Sequence, residues 1–395
     1  MSEKPQPLAG VRVLDLSRVL AGPWAGQLLA DYGADVIKVE RPGSGDDTRE
    51  WGPPWWGDAA DRMAAYYLSA NRGKRSIAID IASADGAALV RKLAAHADVL
   101  LENYKVGQLA KYGLDAASLR QLNARLIYCS ITGYGQDGPY ASAAGYDFAI
   151  QATGGLMSVT GEKDGTPGAE PQKVGVAVAD LFTGLYATTA ILAALQERHR
   201  TGRGRWIDAA LLDTQLAMLA NQASNYLVGG KTPKRMGNAH VNVVPYQVFK
   251  TADGHIVLAV GNDGQFQRFC KLAGREAVGS DPLFATNALR IEHRNALSAE
   301  IAVWMLERTT AAWTALLEPN AVPCAPILEL PEVFKHPQVV ARGMKIHNAG
   351  MPMVAPPMRL DGERAVSDRP APRLDEHGPA IRNALARGDA WPGAQ

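Results

Sequence analysis

The chain runs to 395 residues, 47% hydrophobic and 21% charged, long enough for two domains and a large core. A formal net charge of +1 gives no electrostatic reason to expect a nucleic acid or an anionic membrane as partner. Three cysteines (Cys129, Cys270, Cys324) and eight histidines are scattered without ligand spacing, which argues against a disulfide framework or a metal site and for free thiols in a reducing cytoplasm.

The opening MSEKPQPLAG lacks the apolar stretch of a signal peptide, and no run approaches the roughly 18 apolar residues of a membrane span. Strand and helix patterns then alternate over the first 130 residues. VRVLDLS, DVIKVE, RSIAIDI, DVLLEN and LIYCSITGYG are β-branched, apolar runs bounded by Gly, Asp or Asn. Between them, WAGQLLADYGA and ADGAALVRKLAAHA carry apolar residues at helical spacing. Such alternation predicts parallel βαβ units in a doubly wound, Rossmann-like α/β sheet. VGVAVADLFTGLYATTA (174–190) reads as a strand (Val174, Val176, Val178) followed by a helix from 181 to about 197, and the pattern continues through RGRWIDAALLDTQLAMLANQASNYLV. A polar, Gly-containing connector follows Val228. The expected organisation is a large domain over 1–228, a smaller α+β domain over 229–326, and a Pro-rich segment, 327–395, that returns to the large domain without a core of its own.

Asp180 raises the sharpest question, because a carboxylate among small and apolar residues is costly to desolvate. It reads either as the N-cap of the helix that follows or as an anion held ionised and accessible at a helix N-terminus. In the first βαβ unit a turn (VLAGPWAG) leads to a second strand ending in Glu40 and Arg41. The glycine spacing is not GxGxxG, so the unit suits a nucleotide-like ligand other than NAD, or else a plain salt bridge at the strand end. Asn103 and Tyr104 fall just past a strand's carboxyl end, with Lys111 beyond them; they read as ligand contacts or as an ordinary loop. The loop Gly261, Asn262, Asp263, Gly264 and Gln265 can aim backbone N–H groups at an oxyanion, or simply turn a strand into a helix. Arg49, in DDTREWGPPWWG, is a candidate partner for a substrate carboxylate, with Arg72, Arg75 and Arg235 as alternatives.

Together these stretches resemble the class III CoA-transferase, or CaiB/BaiF, family over almost the whole chain. The resemblance rests on GVRVLDLSRVLAGPWAGQLLADYGADVIKVERPGSGDDTR, NRGKRSIAIDI, LLENYKVG, YCSITGYGQDGPY, AGYDFAIQATGG and VAVADLFTGLYA, in that order, with weaker support from GNAHVNVVPYQVFKTADG and VPCAPI. It implies Asp180 as nucleophile, Val19, Leu20 and Ala21 as a turn against coenzyme A, and Arg41, Asn103, Tyr104, Lys111 and Tyr146 as further contacts. It also implies that the loop 261–265 covers the aspartate, that two chains interlock as threaded rings, and that no metal or permanently bound cofactor is needed, coenzyme A entering as a thioester substrate.

Departures from the family narrow the chemistry. The formyl-CoA/oxalate branch has glutamine where this chain has Leu20 and a glycine run where it has GNDG, so oxalate is not expected as substrate. The α-methylacyl-CoA racemase branch needs the histidine of a GHD motif, which reads Gly145–Tyr146–Asp147 here; a phenol replaces imidazole poorly in α-proton exchange. DDTREWGPP, YYLSANRGKRSIA and PYQVFKTADGHIV look most like the succinyl-CoA–glutarate branch. The alternatives are a racemase with displaced acid/base groups and a non-catalytic homologue that only binds coenzyme A.

Overall fold

The computed structural model describes residues 4–59 and 61–393. Parallel strands form where the β-branched runs lie: β1 (Arg12–Asp15), β2 (Asp35–Glu40), β3 (Lys74–Ala78), β4 (Val99–Glu102) and β5 (Ile127–Thr132). A sixth strand, β6 (Trp206–Ala210), completes one sheet of order β3-β2-β1-β4-β5-β6, every neighbour parallel. This is the doubly wound order, whose direction reverses between β1 and β4.

Side chains alternate across the sheet, and both faces are covered, which explains near-continuous apolar strands. Val13, Val36, Val99, Leu101, Ile127 and Cys129 point to one face, packed by α1 (Ala21–Asp31) and the long helix α4 (Val178–Thr201). Leu14, Ile37, Ile77, Leu100 and Tyr128 point to the other, covered by α2 (Ala84–Ala94) and the C-terminal helix Gly378–Ala386 through Ile381 and Leu385. The elements also include α3 (Asp147–Thr153), α5 (Leu211–Met218) and α6 (Ala220–Gly229).

The chain divides into two compact units whose bounds differ from the expected ones. The first holds residues 1–156, 174–230 and 337–395; the second holds 157–173 and 231–336. Residues 157–173 therefore leave the large unit, and the returning segment starts at 337 rather than 327. The second unit has an antiparallel sheet, β9 (Cys324–Pro326)-β8 (His255–Ala259)-β7 (Tyr246–Lys250), backed by helices around Phe249, Ile256, Phe266, Phe269, Trp304 and Trp313.

One sequence expectation fails. Residues 174–177 form no strand, because their backbone is held by side chains of α3 instead of a neighbouring strand; the sheet adds β6 there. Helix α4 is, among the described residues, long and apolar enough to cross a membrane, with mean hydropathy 1.6 over 18 residues. Its inner face, through Ala187, Ile191 and Leu195, packs in the core with α1 and the sheet, while Phe182, Leu185 and Tyr186 stay exposed.

Candidate active site

The point where strand order reverses fixes the site: the loops leaving β1 and β4 splay apart and leave a crevice. A cavity of about 400 Å³ opens there, lined by residues of the first unit alone. Val19, Leu20, Ala21, Arg41, Asn103, Tyr104, Tyr146 and Asp180 all border it, so most of the site residues expected from sequence converge.

The turn after β1 is strained. Val19 sits at φ +70, where a β-branched residue is an outlier, and such strain persists only where surroundings enforce it. Three contacts do so. The Asp46 carboxylate accepts from Val19 N–H at 3.2 and 3.3 Å, Lys38 Nζ donates to Ser17 O at 2.7 Å, and the two side chains pair at 2.9 Å. Lys38 draws Asp46 well down, to a pKa of about 2, against the upward push of burial, so the pair stays charged. Asn103 completes the clamp: its Oδ1 accepts from Arg18 N–H at 2.9 Å and its Nδ2 donates to Arg18 O at 2.7 Å. Asn103 borders the cavity, yet its amide positions the turn. Helix α1 then starts at the cavity wall, its first turn free of acidic residues, a setting that favours an anionic ligand.

Asp180 lies in the first turn of α4, half-buried at the cavity wall. Burial, with Asp147 adding like-charge repulsion, pushes its pKa up to about 7. It is not the helix cap. Ala177 occupies the cap position and offers no side-chain bond; Asp147 supplies it, its Oδ1 accepting from Ala179 N–H at 2.8 Å and Asp180 N–H at 3.4 Å. The Tyr66 phenol feels both carboxylates and is pushed up by burial and then by Asp180, Asp147 and Asp46. Trp51 packs edge-on against it, ring centroids 5.1 Å apart.

Several expectations need correction. Arg49 does not face a substrate carboxylate: Nε and Nη2 each donate to Glu40 at 2.7 Å, and Nη2 also donates to Tyr67 Oη. Glu40 thus pairs with Arg49, which leaves Arg41 exposed at the cavity mouth. The alternatives are committed too: Arg72 to Asp31 at 2.6 Å, Arg75 to Asp35 at 2.5 Å, and Arg235 to Asp164. Lys111 sits exposed on a short 3-10 turn and does not border the cavity. In the second unit, Asn262 caps α7 (Asp263–Leu272) by accepting from Gln265 N–H at 2.9 Å, while Gln265 Oε1 accepts from Gly261 N–H at 2.8 Å. Asp263 pairs with Arg290 at 2.7 Å. Two N–H groups expected to serve an oxyanion are therefore occupied within the loop.

Sequence reasoning missed Arg18 and Lys105, cations that border the cavity beside residues it did find. It also missed Asp46 and Asp147, whose bonds to Val19 and Ala179 span 27 and 32 residues; the local signal for Asp147 was its place next to Tyr146.

Comparison with known proteins fits this geometry. Residues 8–378 match CoA-transferase family III. A succinate–glutarate CoA-transferase of Agrobacterium fabrum is 51% identical over 384 residues, 95% of each chain. The human succinyl-CoA:glutarate CoA-transferase is 43% identical over 97% of this chain and 87% of its own. The crystal structure of a CaiB/BaiF family protein from Brucella suis superposes with a TM-score of 0.86 at 51% identity, covering 97% of this chain and all (100%) of that one. A doubly wound sheet, a crevice at its switch point and these likenesses agree: the chain is a family III CoA-transferase, a member of the CaiB/BaiF family.

Proposed function

We propose that the enzyme moves coenzyme A from succinyl-CoA to a dicarboxylate such as glutarate, with Asp180 as the covalent nucleophile. The observation that carries this reading is Asp180 itself: a carboxylate at a helix start, poorly hydrated, bordering the same cavity as the clamped turn and the cations Arg18, Arg41 and Lys105. The names of the similar transferases supply the acid pair.

Coenzyme A presents phosphates, which suit those cations and the start of α1. Asp180 attacks the thioester carbonyl; the C–S bond breaks and gives an aspartyl–succinyl anhydride and CoA thiolate. The thiolate attacks the aspartyl carbonyl, releases succinate and leaves an aspartyl-CoA thioester. The acceptor carboxylate attacks that thioester, releases the thiolate and forms a second anhydride. Thiolate attack at the acceptor's carbonyl then gives the new acyl-CoA and restores Asp180. Each step develops an oxyanion, for which N–H groups of the 261–265 loop are our candidates; Gly261 and Gln265 would first have to leave their present partners. Anhydrides hydrolyse readily, so the reaction requires exclusion of water.

We further propose an interlocked homodimer, supported by large apolar side chains left exposed on α4 and α6. The free thiols Cys129, Cys270 and Cys324 suit a reducing compartment, and the cytoplasm is our proposed location.

The test is to incubate the protein with succinyl-CoA and a panel of free acids, glutarate among them, reading product CoA esters by mass spectrometry beside Asp180→Ala. Glutaryl-CoA from the wild type alone is the expected result. Transfer to another acid would discard glutarate, and activity surviving in Asp180→Ala would discard the nucleophile.

A further inference from the structure

Helix α4 begins without a cap of its own. Ala177 holds the cap position, and the preceding segment, with a bend at Gly175 and Val176, belongs to no strand. Free N–H groups in a first turn need acceptors, and a first turn lacking them frays. Both ends of 174–180 hang instead from two side chains of α3. Asp147 Oδ1 accepts from Ala179 and Asp180 N–H, and its Oδ2 accepts from Gln151 Nε2 at 2.7 Å. Gln151, fully buried, turns its Oε1 to Val174 N–H at 2.9 Å.

Helix α3 is itself fixed. Gly145, two residues before Asp147, crosses Gly133 at the end of β5 so closely that a Cβ on Gly145 would lie 2.4 Å from the Gly133 Cα. A chain of contacts thus runs from the sheet through Gly133, Gly145 and Asp147 to the backbone of Asp180.

We propose that Asp147 is the positioning residue for Asp180, closing the first turn of α4 from a neighbouring helix and so fixing the backbone from which the nucleophile reaches the cavity. This rests on the reading of Asp180 as nucleophile. An acceptor at that place could as well be neutral, and the use of a carboxylate has a second effect. Burial raises the pKa of Asp180 most, and the charge of Asp147 adds to it by opposing ionisation, so the aspartate that holds the nucleophile in place also pushes its titration toward neutrality. Among the described residues, Asp147 from α3 and the Tyr66 phenol from the short helix Ala65–Ser69 couple electrostatically to Asp180, and Arg18, Arg41, Lys105 and Tyr146 border the same cavity.

Asparagine and alanine separate the two effects. Asp147→Asn keeps an acceptor for Ala179 N–H, gives up the Gln151 bond and removes the charge; Asp147→Ala removes everything. For succinyl-CoA and glutarate, Asp147→Ala is expected to lose about ten- to hundredfold in kcat, the scale of a small misplacement of a reacting group, with KM within about threefold. Asp147→Asn is expected to recover most of that loss, and its kcat/KM should begin to fall about one pH unit lower than in the wild type. Alanine turning over within twofold of wild type, or asparagine leaving the acid limb unmoved, would overturn the proposal. Asp180→Ala and mass spectra of the 180-containing peptide run alongside. A wild-type CoA adduct on that peptide, absent in Asp180→Ala, shows the nucleophile reading intact whichever way Asp147 falls; without the adduct, that reading fails and takes this proposal with it.

Discussion

Asn103 commits both polar atoms of its amide to one residue, accepting from and donating to the backbone of Arg18. From sequence it read as a ligand contact or as an ordinary loop residue, and the choice was not legible for a physical reason: a residue just past a strand's carboxyl end is in the right place, but which way its side chain bonds depends on a loop 85 residues earlier. The same holds for the arginines. Charge and residue type were legible, and the partners Glu40, Asp31, Asp35 and Asp164 were not. Asp180 was legible as a carboxylate at a helix start, whereas its cap arrives from 33 positions away and left no local trace. If Asn103 holds the turn, Asn103→Ala should cost about 1–2 kcal/mol of stability, two neutral hydrogen bonds. KM for succinyl-CoA should rise roughly tenfold as Val19 relaxes, the equivalent of about 1.4 kcal/mol, and kcat should change little. Thermal denaturation and steady-state kinetics check this, and an unchanged KM would reject the clamp.

At the level of elements, periodicity read the sheet well, because a parallel sheet covered on both faces writes its strands as apolar runs. The pattern misled at 174–178, where alternating valines look like a strand but Val176 is 57% exposed and the segment has no strand partner. Hydrophobic period alone carries no information about whether a sheet edge is available. The crossing of α1 and α4 was also invisible in the sequence, although it brings Asp180 and the strained turn to one cavity. Gly184, one turn beyond Asp180, permits that crossing: a Cβ there would lie 2.7 Å from Ala21 O and 3.1 Å from Trp24 Cδ1. The backbone oxygen cannot rotate away, so Gly184→Ala should force the helices apart. Overpacking of this kind costs about 1–3 kcal/mol. Ala21 begins α1 at the cavity wall, so a raised KM for acyl-CoA should accompany the lower melting temperature. A variant as stable and active as wild type would show that the crossing is not tight.

For the whole molecule, the unpaired surface is the telling feature. Phe182, Leu185 and Tyr186 on α4 are 41–52% exposed, and Leu227 and Val228 on α6 reach 78% and 91%. Exposed apolar side chains of this size suit a surface that another protein covers, and the homodimer proposed above would make that cover a second copy. Threaded rings behave differently from two chains that merely dock. A docked dimer dissociates on dilution with its folds intact, whereas interlocked chains cannot separate until one of them opens. Dilution to nanomolar concentration should therefore leave the dimer mass unchanged over hours by mass photometry, while the urea midpoint should rise with protein concentration, because assembly and folding are then one equilibrium. Val228→Asp would place a charge in the proposed contact, and is expected to lower the urea midpoint at fixed concentration without producing a folded monomer. A folded, monodisperse monomer from wild type or variant would rule out threading, and a wild-type monomer would rule out the dimer as well.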